Sequence, residues 1–465
     1  MNKEGQEREY AENFYRINRI GDKFLASTDS GDWTILTKTQ LAELRSGNLS
    51  DNTYKIAKET GLIITEENLP NILANTRKRL QPLYRSTGLH IIVTTLRCNH
   101  KCLYCHSHPK TTQDEDYDLK HETAERIIDF IFQCPSNNLT IEFQGGESLL
   151  NVASFKDVVN MCKEKNKEKK RNLTFVLVTN LSLMNEETAQ WLKDEKIVIC
   201  TSVDGPEILH NKNRPTESSI NSHQKTIEWM KKLKIDYGID VGALMVTTKS
   251  SLPHWKEIID EYRNIGLNTI QLKPLNKLGF AENKWKEVGY EFEEFEEFWK
   301  KSMDYILELN KKNIIFKERY VEIILKKLFM DSDPGFTDFA SPCGLITGQL
   351  TYDYNGDIFS CDEGRNFDLF KLGNVNNTKY IDVIRSKESQ QLVNASTIEN
   401  YICDMCAYKP FCGTCVVNNY AREGNIIPNI PSNFHHKLFK MMFDWVFNVL
   451  INRPEDAKLL SRWCN

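Results

Sequence analysis

The sequence predicts an α/β fold of six strand–helix units on a parallel sheet, with a small α+β unit before it and a cysteine-rich region behind. Three observations carry this expectation. From residue 88 strand-like and helix-like segments alternate six times, as they do in a parallel sheet covered by helices. Directly after the first strand comes Leu96-Arg97-Cys98-Asn99-His100-Lys101-Cys102-Leu103-Tyr104-Cys105, spaced C-x3-C-x2-C. Six further cysteines, from Cys343 to Cys415, gather in the last third of the chain.

The elements follow in order. Residues 1–86 form an N-terminal unit, in which Lys23-Phe24-Leu25-Ala26-Ser27 and Trp33-Thr34-Ile35-Leu36 flank a Gly-containing hairpin signal. Two short helical patterns follow, around Thr39–Leu44 and Asn52–Thr60, ending at Gly61. Residues 87–290 carry the six units. Their strands centre on 89–95, 139–144, 173–179, 197–203, 240–247 and 269–273, with helical patterns near 119–133, 152–169, 186–195, 219–234 and 253–265. Residues 291–335 are a helical bridge, whose Phe292, Phe295, Phe298 and Trp299 recur at helical spacing and belong to packing. Residues 336–465 hold the second group of cysteines and a C-terminal helix.

Composition narrows the function. The net charge of −4 gives no field that favours nucleic acid. The basic run Lys163–Arg171 contains Glu164 and Glu168 and reads as a solvated helix face. Met1-Asn2-Lys3-Glu4-Gly5-Gln6-Glu7 has no apolar core and is not a signal peptide, and no apolar run approaches the ~18 residues of a membrane span. Thirteen cysteines without a secretion signal point to metal binding in a reducing cytoplasm more than to disulfides.

The chemistry collects at strand ends. Cys98, Cys102 and Cys105 are one thiolate short of the four that hold a [4Fe–4S] cluster, which leaves one iron open to a small molecule. They sit just past the C-terminal end of a strand, where α/β barrels keep their active sites. A zinc knuckle using His100, His106 or His108, or three unrelated buried thiols, is the alternative. The second strand runs into Glu142-Phe143-Gln144-Gly145-Gly146-Glu147-Ser148. Gly145 and Gly146 allow close approach of a ligand to the backbone, and Glu147 offers a carboxylate to an ammonium group. The third strand ends at Val178-Thr179-Asn180 and the fourth at Thr201-Ser202-Val203-Asp204-Gly205-Pro206. Arg214 has the guanidinium geometry that suits a carboxylate. Each of these also fits ordinary turn chemistry.

Together these residues resemble the radical S-adenosylmethionine (SAM) superfamily. The resemblance implies a partial (β/α)6 TIM-type barrel, a [4Fe–4S] cluster on Cys98, Cys102 and Cys105, and SAM bound to its open iron. It implies that Gly145, Gly146 and Glu147 hold the methionine amino group, and that Asn180 and Ser202 contact the ribose or carboxylate side. Asp204 with Gly205 would shape a turn, Arg214 would pair with the SAM carboxylate, and Tyr104 would lie near the adenine. The activity implied is hydrogen abstraction from unactivated carbon by a 5′-deoxyadenosyl radical.

The later cysteines resemble the SPASM domain. Cys343 is followed by twelve residues, Gly356, four more and Cys361, and then by Cys403-x2-Cys406-x5-Cys412-x2-Cys415. The resemblance implies one or two auxiliary [4Fe–4S] clusters on these six residues, although the second run taken alone would also suit zinc. The chain has one residue fewer before Cys415 than that domain and lacks its final cysteine. His435 or Cys464 is the candidate to take that place, or one cluster stays open. Asp362, directly after Cys361, stands where an acid acts as general base in sulfatase-maturing relatives. Cys134, Cys162 and Cys200 read as buried small hydrophobes.

The N-terminal unit resembles the PqqD-like leader-peptide recognition element, or is a plain cap on the barrel. Leu89-His90, Ser202-Val203-Asp204-Gly205-Pro206, Ile258-Ile259-Asp260-Glu261-Tyr262 and Gly348-Gln349-Leu350-Thr351-Tyr352 are similar to the His-Xaa-Ser system radical SAM maturases of the HxsB type. Cys343, Cys361 and Cys415 depart from that family's pattern and suggest a neighbouring branch. The expected function is modification of a ribosomally made peptide or protein, by crosslinking or oxidation of side chains. The expected partners are that substrate, a second radical SAM protein and an electron donor such as flavodoxin or ferredoxin. The alternatives are a sulfatase-maturase-type dehydrogenase acting on Ser or Cys, and a non-catalytic iron–sulfur or zinc protein.

Overall fold

A computed structural model describes residues 9–84, 86–330 and 334–464. The opening residues Met1–Glu7, on which the lack of a signal peptide was read, lie outside the described residues. Among the described residues no helix is long and apolar enough to cross a membrane.

The six expected strands form one parallel run: β1 (Leu89–Thr95), β2 (Asn138–Gly145), β3 (Asn172–Val178), β4 (Val198–Ser202), β5 (Val241–Val246) and β6 (Leu272–Lys273). His90 through Thr95 are all buried, because helices cover one face of the sheet while the other turns toward the barrel interior. The covering helices are α1 (His121–Ile131), α2 (Val152–Lys169), α3 (Glu186–Asp194), α4 (Ser222–Tyr237) and α5 (Trp255–Asn264). Lys163, Lys165 and Lys167 of the basic run pair with Glu195, Asp129 and Glu164, so that face is occupied by surface ion pairs.

The sheet does not stop at the sixth unit's partner. Beyond β1 it continues through β7 (Gln349–Tyr352), β8 (Asp357–Phe359) and β9 (Lys371–Asn374), giving the order β6-β5-β4-β3-β2-β1-β7-β8-β9. β7 runs parallel to β1 with Leu350 opposite His90, and β8 and β9 return antiparallel. The cysteine-rich region is thus stitched to the barrel by main-chain hydrogen bonds. His90 and Tyr352 meet across the β1–β7 seam at 2.8 Å.

Two helices, α6 (Phe292–Lys311) and α7 (Arg319–Phe329), bridge to the C-terminal α8 (Phe434–Asn452). The aromatic stripe is core: Phe295, Phe298 and Trp299 are buried, and Trp299 meets Trp445 of α8 edge-on at 5.5 Å.

The N-terminal unit is a three-stranded antiparallel sheet (Tyr15–Ile20, Lys23–Thr28, Trp33–Leu36) with helices at Lys38–Ser46 and Asp51–Glu59, capped by Thr37 and Ser50. It has a core of its own around Leu36, Leu41, Leu44 and Leu62. Its strand Tyr15–Ile20 and a further helix at Leu69–Leu80 carry too weak a pattern to be read from sequence. The unit is fastened to the second cysteine run. Arg16 Nε donates to the Asp404 carbonyl (2.7 Å), Ser27 Oγ to the Ala407 carbonyl (2.7 Å), and Ala407 N–H to Asn18 Oδ1 (3.2 Å). The Asn18 amide also points at Cys406 Sγ, 3.8 Å away.

Candidate active site at the barrel mouth

A cavity of about 340 Å³ opens at the C-terminal ends of β1 to β6. Cys98, Cys102 and Cys105 line it, together with Gly145–Glu147, Asn180, Ser202, Arg214 and, from the C-terminal region, Asp362 and Glu363. Parallel strands place their C-terminal ends on one side of the sheet, so residues distant in sequence converge there.

Burial pushes the Cys98 thiol well up and the Cys102 thiol up to about 12. A metal that binds such thiols takes them as thiolates and releases their protons. The neighbours suit such a group. Arg214 Nη1 lies 4.0 Å from Cys102 Sγ, the His100 N–H approaches Cys98 Sγ at 3.4 Å, and both ring nitrogens of buried His100 lack a hydrogen-bond partner. Among the described residues no three His, Cys, Asp or Glu side chains converge as on a single ion. The expected zinc donors are dispersed too: His106 is paired with Asp362, and His108 stands edge-on to Phe280 at 5.7 Å. A [4Fe–4S] cluster takes each thiolate on a separate iron, so its ligands need not meet at a point, and the donor set fits it.

The two glycines serve the fold as well as the ligand. A Cβ on Gly145 would lie 2.1 Å from the Thr95 carbonyl oxygen, and one on Gly146 would lie 2.1 Å from that of Arg97. Gly146 and Glu147 donate their N–H groups to these same carbonyls, at 2.8 and 2.7 Å. The turn after β2 is thereby pressed onto the cysteine loop's first residues.

Glu147 is not the free carboxylate that the motif suggests. It is buried and accepts from Leu149 N–H (3.0 Å), the Thr179 hydroxyl (2.6 Å) and Asn180 N–H (2.7 Å), leaving one lone pair uncommitted. Burial raises its pKa and these three donors oppose the rise. It ties the end of β3 to the end of β2. Asn180 in turn donates to Asn99 of the cysteine loop at 3.0 Å.

Asp204 lies behind the wall, fully buried, and does more than shape a turn. Its oxygens accept from the Tyr104 hydroxyl at 2.7 and 2.8 Å and from Arg214 Nε at 3.1 Å. The Arg214 guanidinium also stands 5.3 Å from the Tyr104 ring centre. Burial opposes the Arg214 charge, yet Asp204, Tyr104 and Cys102 outweigh it and hold the guanidinium protonated. Arg214 therefore brings a fixed positive charge to the cysteine site.

From the other side, Asp362 accepts from His106 Nε2 (2.9 Å) and from Arg365 Nε and Nη2 (3.1 and 3.0 Å). Burial alone would raise its pKa, but His106 and Arg365 hold the carboxyl well below the usual range. A carboxylate pinned on both oxygens is a weak base. Glu142, on β2 in the same cavity, is raised by burial and next by the charge of Asp362, against the Gln144 amide 2.5 Å away. Sequence reasoning missed Glu142, Lys273 and Glu363 as wall residues. It also took Cys200 for a core residue, whereas Cys200 lines the cavity because β4 turns it inward. Cys134 and Cys162 are core, as expected.

The six later cysteines sort differently from their spacing. Cys343 and Cys361 are the thiols whose charge reaches Cys415, whereas Cys406 and Cys403 are those that reach Cys412. Cys412 and Cys415, with two residues between them, thus have different thiol neighbours. Cys464 stands beside Lys326, Lys317 and Glu322.

The family model of the Radical SAM superfamily matches residues 92–247. The chain is 23% identical over 374 residues to the cysteine-type anaerobic sulfatase-maturating enzyme of Clostridium perfringens (strain 13 / Type A), across 78% of this chain and 96% of that one. Native anSMEcpe with bound AdoMet and Kp18Cys peptide superposes with a TM-score of 0.67 at 20% identity, covering 81% of this chain and 99% of the other. Streptococcus suis SuiB bound to its precursor peptide SuiA superposes at 0.53 with 15% identity, covering 90% and 98%. The fold is the radical SAM α/β fold with a cysteine-rich C-terminal region, and the protein is an enzyme of oxidoreductase type. The Radical SAM match takes in Cys98, Cys102, Cys105 and Gly145–Glu147, and the anSMEcpe structure that superposes has AdoMet bound.

Proposed function

We propose that the protein modifies a ribosomally made peptide or protein, crosslinking side chains or oxidising one of them. The observation that carries this reading is the shared wall of the cavity. Its SAM-side residues come from the barrel, and Asp362 and Glu363 come from the cysteine-rich region. A substrate side chain entering it would lie between the two. When bound, the reduced cluster and SAM supply a 5′-deoxyadenosyl radical, which removes a hydrogen from unactivated carbon. The chain's own part is to orient and to balance charge. Arg214 keeps a cation beside Cys102, Glu147 locks β2 to β3, and Asp204 holds Tyr104 and Arg214 in place. Glu142 is the cavity carboxylate best suited to accept a proton.

The two outer groups, Cys343/Cys361/Cys415 and Cys403/Cys406/Cys412, fit auxiliary [4Fe–4S] clusters, which would conduct the second electron away or border the substrate. The electron donor would be a flavodoxin or ferredoxin, and a second radical SAM protein is a candidate partner. Thirteen unpaired cysteines favour a reducing cytoplasm. The phrases similar to the His-Xaa-Ser system maturases favour a repeat-bearing small peptide as substrate. The N-terminal unit is the candidate to hold its leader segment.

A second reading follows from the sulfatase-maturating relative: oxidation of one Ser or Cys in a protein. The two are separated by anaerobic incubation with SAM and either a synthetic His-Xaa-Ser repeat peptide or a Ser- or Cys-bearing sulfatase peptide, followed by mass spectrometry. Crosslinking removes two hydrogens and leaves no aldehyde, whereas a hydrazide-reactive product favours the second reading. SAM cleavage with no change in either peptide would refute both.

A further inference from the structure

Three thiolates leave one iron of a [4Fe–4S] cluster without a protein ligand, and at Cys343, Cys361 and Cys415 a fourth donor is in place. Glu363 is the foremost charged neighbour of both Cys361 and Cys415, and its charge also reaches Cys343. Its Oε2 lies 4.0 Å from Cys415 Sγ. Asn418 Nδ2 donates to that oxygen at 2.8 Å and to Cys415 Sγ at 3.2 Å, and Asn276 donates to Oε1 at 2.7 Å. Outer groups that aim two donors at once in this way are characteristic of metal ligands.

The charge balance points the same way. A carboxylate set among three buried thiols repels their ionised forms, and the nearest cation, Lys273 Nζ, stands 3.8 Å away on the Oε1 side. Three thiolates and one carboxylate carry the same total charge as the four thiolates of a fully cysteine-held cluster. The cluster's iron supplies the missing positive charge.

We propose that Glu363 is the fourth protein ligand of an auxiliary [4Fe–4S] cluster held by Cys343, Cys361 and Cys415. This rests on the auxiliary-cluster reading above. Glu363 also lines the main cavity, so the iron it holds belongs to the substrate's side of the cluster. The competing donor is His435. It borders a second cavity, of about 20 Å³, with Cys415 and Glu363, and its Nδ1 has no hydrogen-bond partner.

The test compares the full-length reconstituted wild type with Glu363→Ala, Glu363→Cys and His435→Ala, reading iron and sulfide per chain and EPR spectra of the oxidised and reduced forms. The signal that shifts on adding SAM is assigned to the barrel cluster and set aside. On oxidation Glu363→Ala should hold one iron per chain fewer than the wild type and show a [3Fe–4S] signal larger by about one spin per chain, over the signal that the clusters held by three thiolates give in both proteins. Glu363→Cys should recover the iron, and His435→Ala should match the wild type. The proposal is overturned if Glu363→Ala is indistinguishable from wild type, or if His435→Ala is the variant that loses iron. It is equally overturned if cysteine fails to restore what alanine removes, since the loss would then be structural. A wild type holding the iron of the barrel cluster alone would refute the auxiliary-cluster reading itself, before any variant is made.

Discussion

Asp204 touches neither the cavity nor a cysteine, yet it fixes two residues that do. Asp204→Asn would keep the shape and remove the charge that Arg214 and Tyr104 share. Breaking a buried ion pair on one side costs on the order of 3–5 kcal/mol, so we expect a lower melting temperature. We also expect a fall in 5′-deoxyadenosine formation of at least about tenfold, the factor that corresponds to 1.4 kcal/mol. Arg214→Lys, which keeps charge but loses the fork, should fall between the two. Normal rates in Asp204→Asn would show that the hub is only structural. At Gly145 and Gly146 the expectation is harsher. An alanine at either would drive its Cβ against the Thr95 or Arg97 carbonyl, and iron incorporation at Cys98, Cys102 and Cys105 should fail in both variants. The Gly-Gly-Glu motif was legible in the sequence, but its local role was not. Sequence alone suggests a bare backbone facing a ligand, whereas the space each Cβ would take belongs to the chain's own backbone. Glu142 and Gln144 were legible in principle. They alternate with buried Ile141 and Phe143 along β2, and polar residues at period two on a central strand point into a site.

Among the elements, β7 is the one that spacing could not place. Gln349–Tyr352 drew notice in the sequence only as part of a phrase similar to the His-Xaa-Ser system maturases, and tertiary pairing shows that it extends the barrel sheet beside β1. The six βα units were readable because each repeats a strong local period, whereas the order of strands in a sheet is a long-range property. The N-terminal unit teaches the same lesson: its hairpin was visible and its docking was not. Asn18→Leu combined with Ser27→Ala would strip Ala407 of both its partners in the N-terminal unit and leave only the Arg16–Asp404 bond, at about 1–3 kcal/mol for each buried polar group left unpaired. Iron per chain should drop toward that of a Cys403→Ala/Cys406→Ala variant while the SAM-responsive EPR signal persists. Unchanged iron would mean that the unit merely rests on the loop. A pH effect belongs to α7. Glu318 caps it, accepting from Val321 N–H (2.9 Å) and from Leu272 N–H of β6 (3.2 Å), and burial pushes its carboxyl up to about 7. A raised folded pKa means that its stability contribution is intact below the ordinary value near 4.5 and is lost as pH rises through about 7. At about 1.4 kcal/mol per unit, the loss is on the order of 3 kcal/mol. Glu318→Gln should therefore gain on the wild type in thermal unfolding between pH 5 and pH 8. A constant gap across that range would count against a titrating Glu318.

In the molecule as a whole, the mouth of a nine-stranded sheet holds Cys98, Cys102 and Cys105 in one cavity with Glu363, which stands beside Cys415. The first group was evident from C-x3-C-x2-C and its place after β1. The regrouping of Cys415 with Cys343 and Cys361 was hidden, because a C-x2-C spacing invites the reading of one site. The central claim is that Cys98, Cys102 and Cys105 hold the cluster at which SAM is cleaved. The most direct measurement is 5′-deoxyadenosine release from the anaerobically reconstituted, reduced protein, wild type against Cys98→Ala/Cys102→Ala/Cys105→Ala. We expect release from the wild type and none from the triple variant, with the iron of the two outer groups retained. Release that survives the triple substitution, or none from a cluster-replete wild type supplied with candidate peptides, would contradict it.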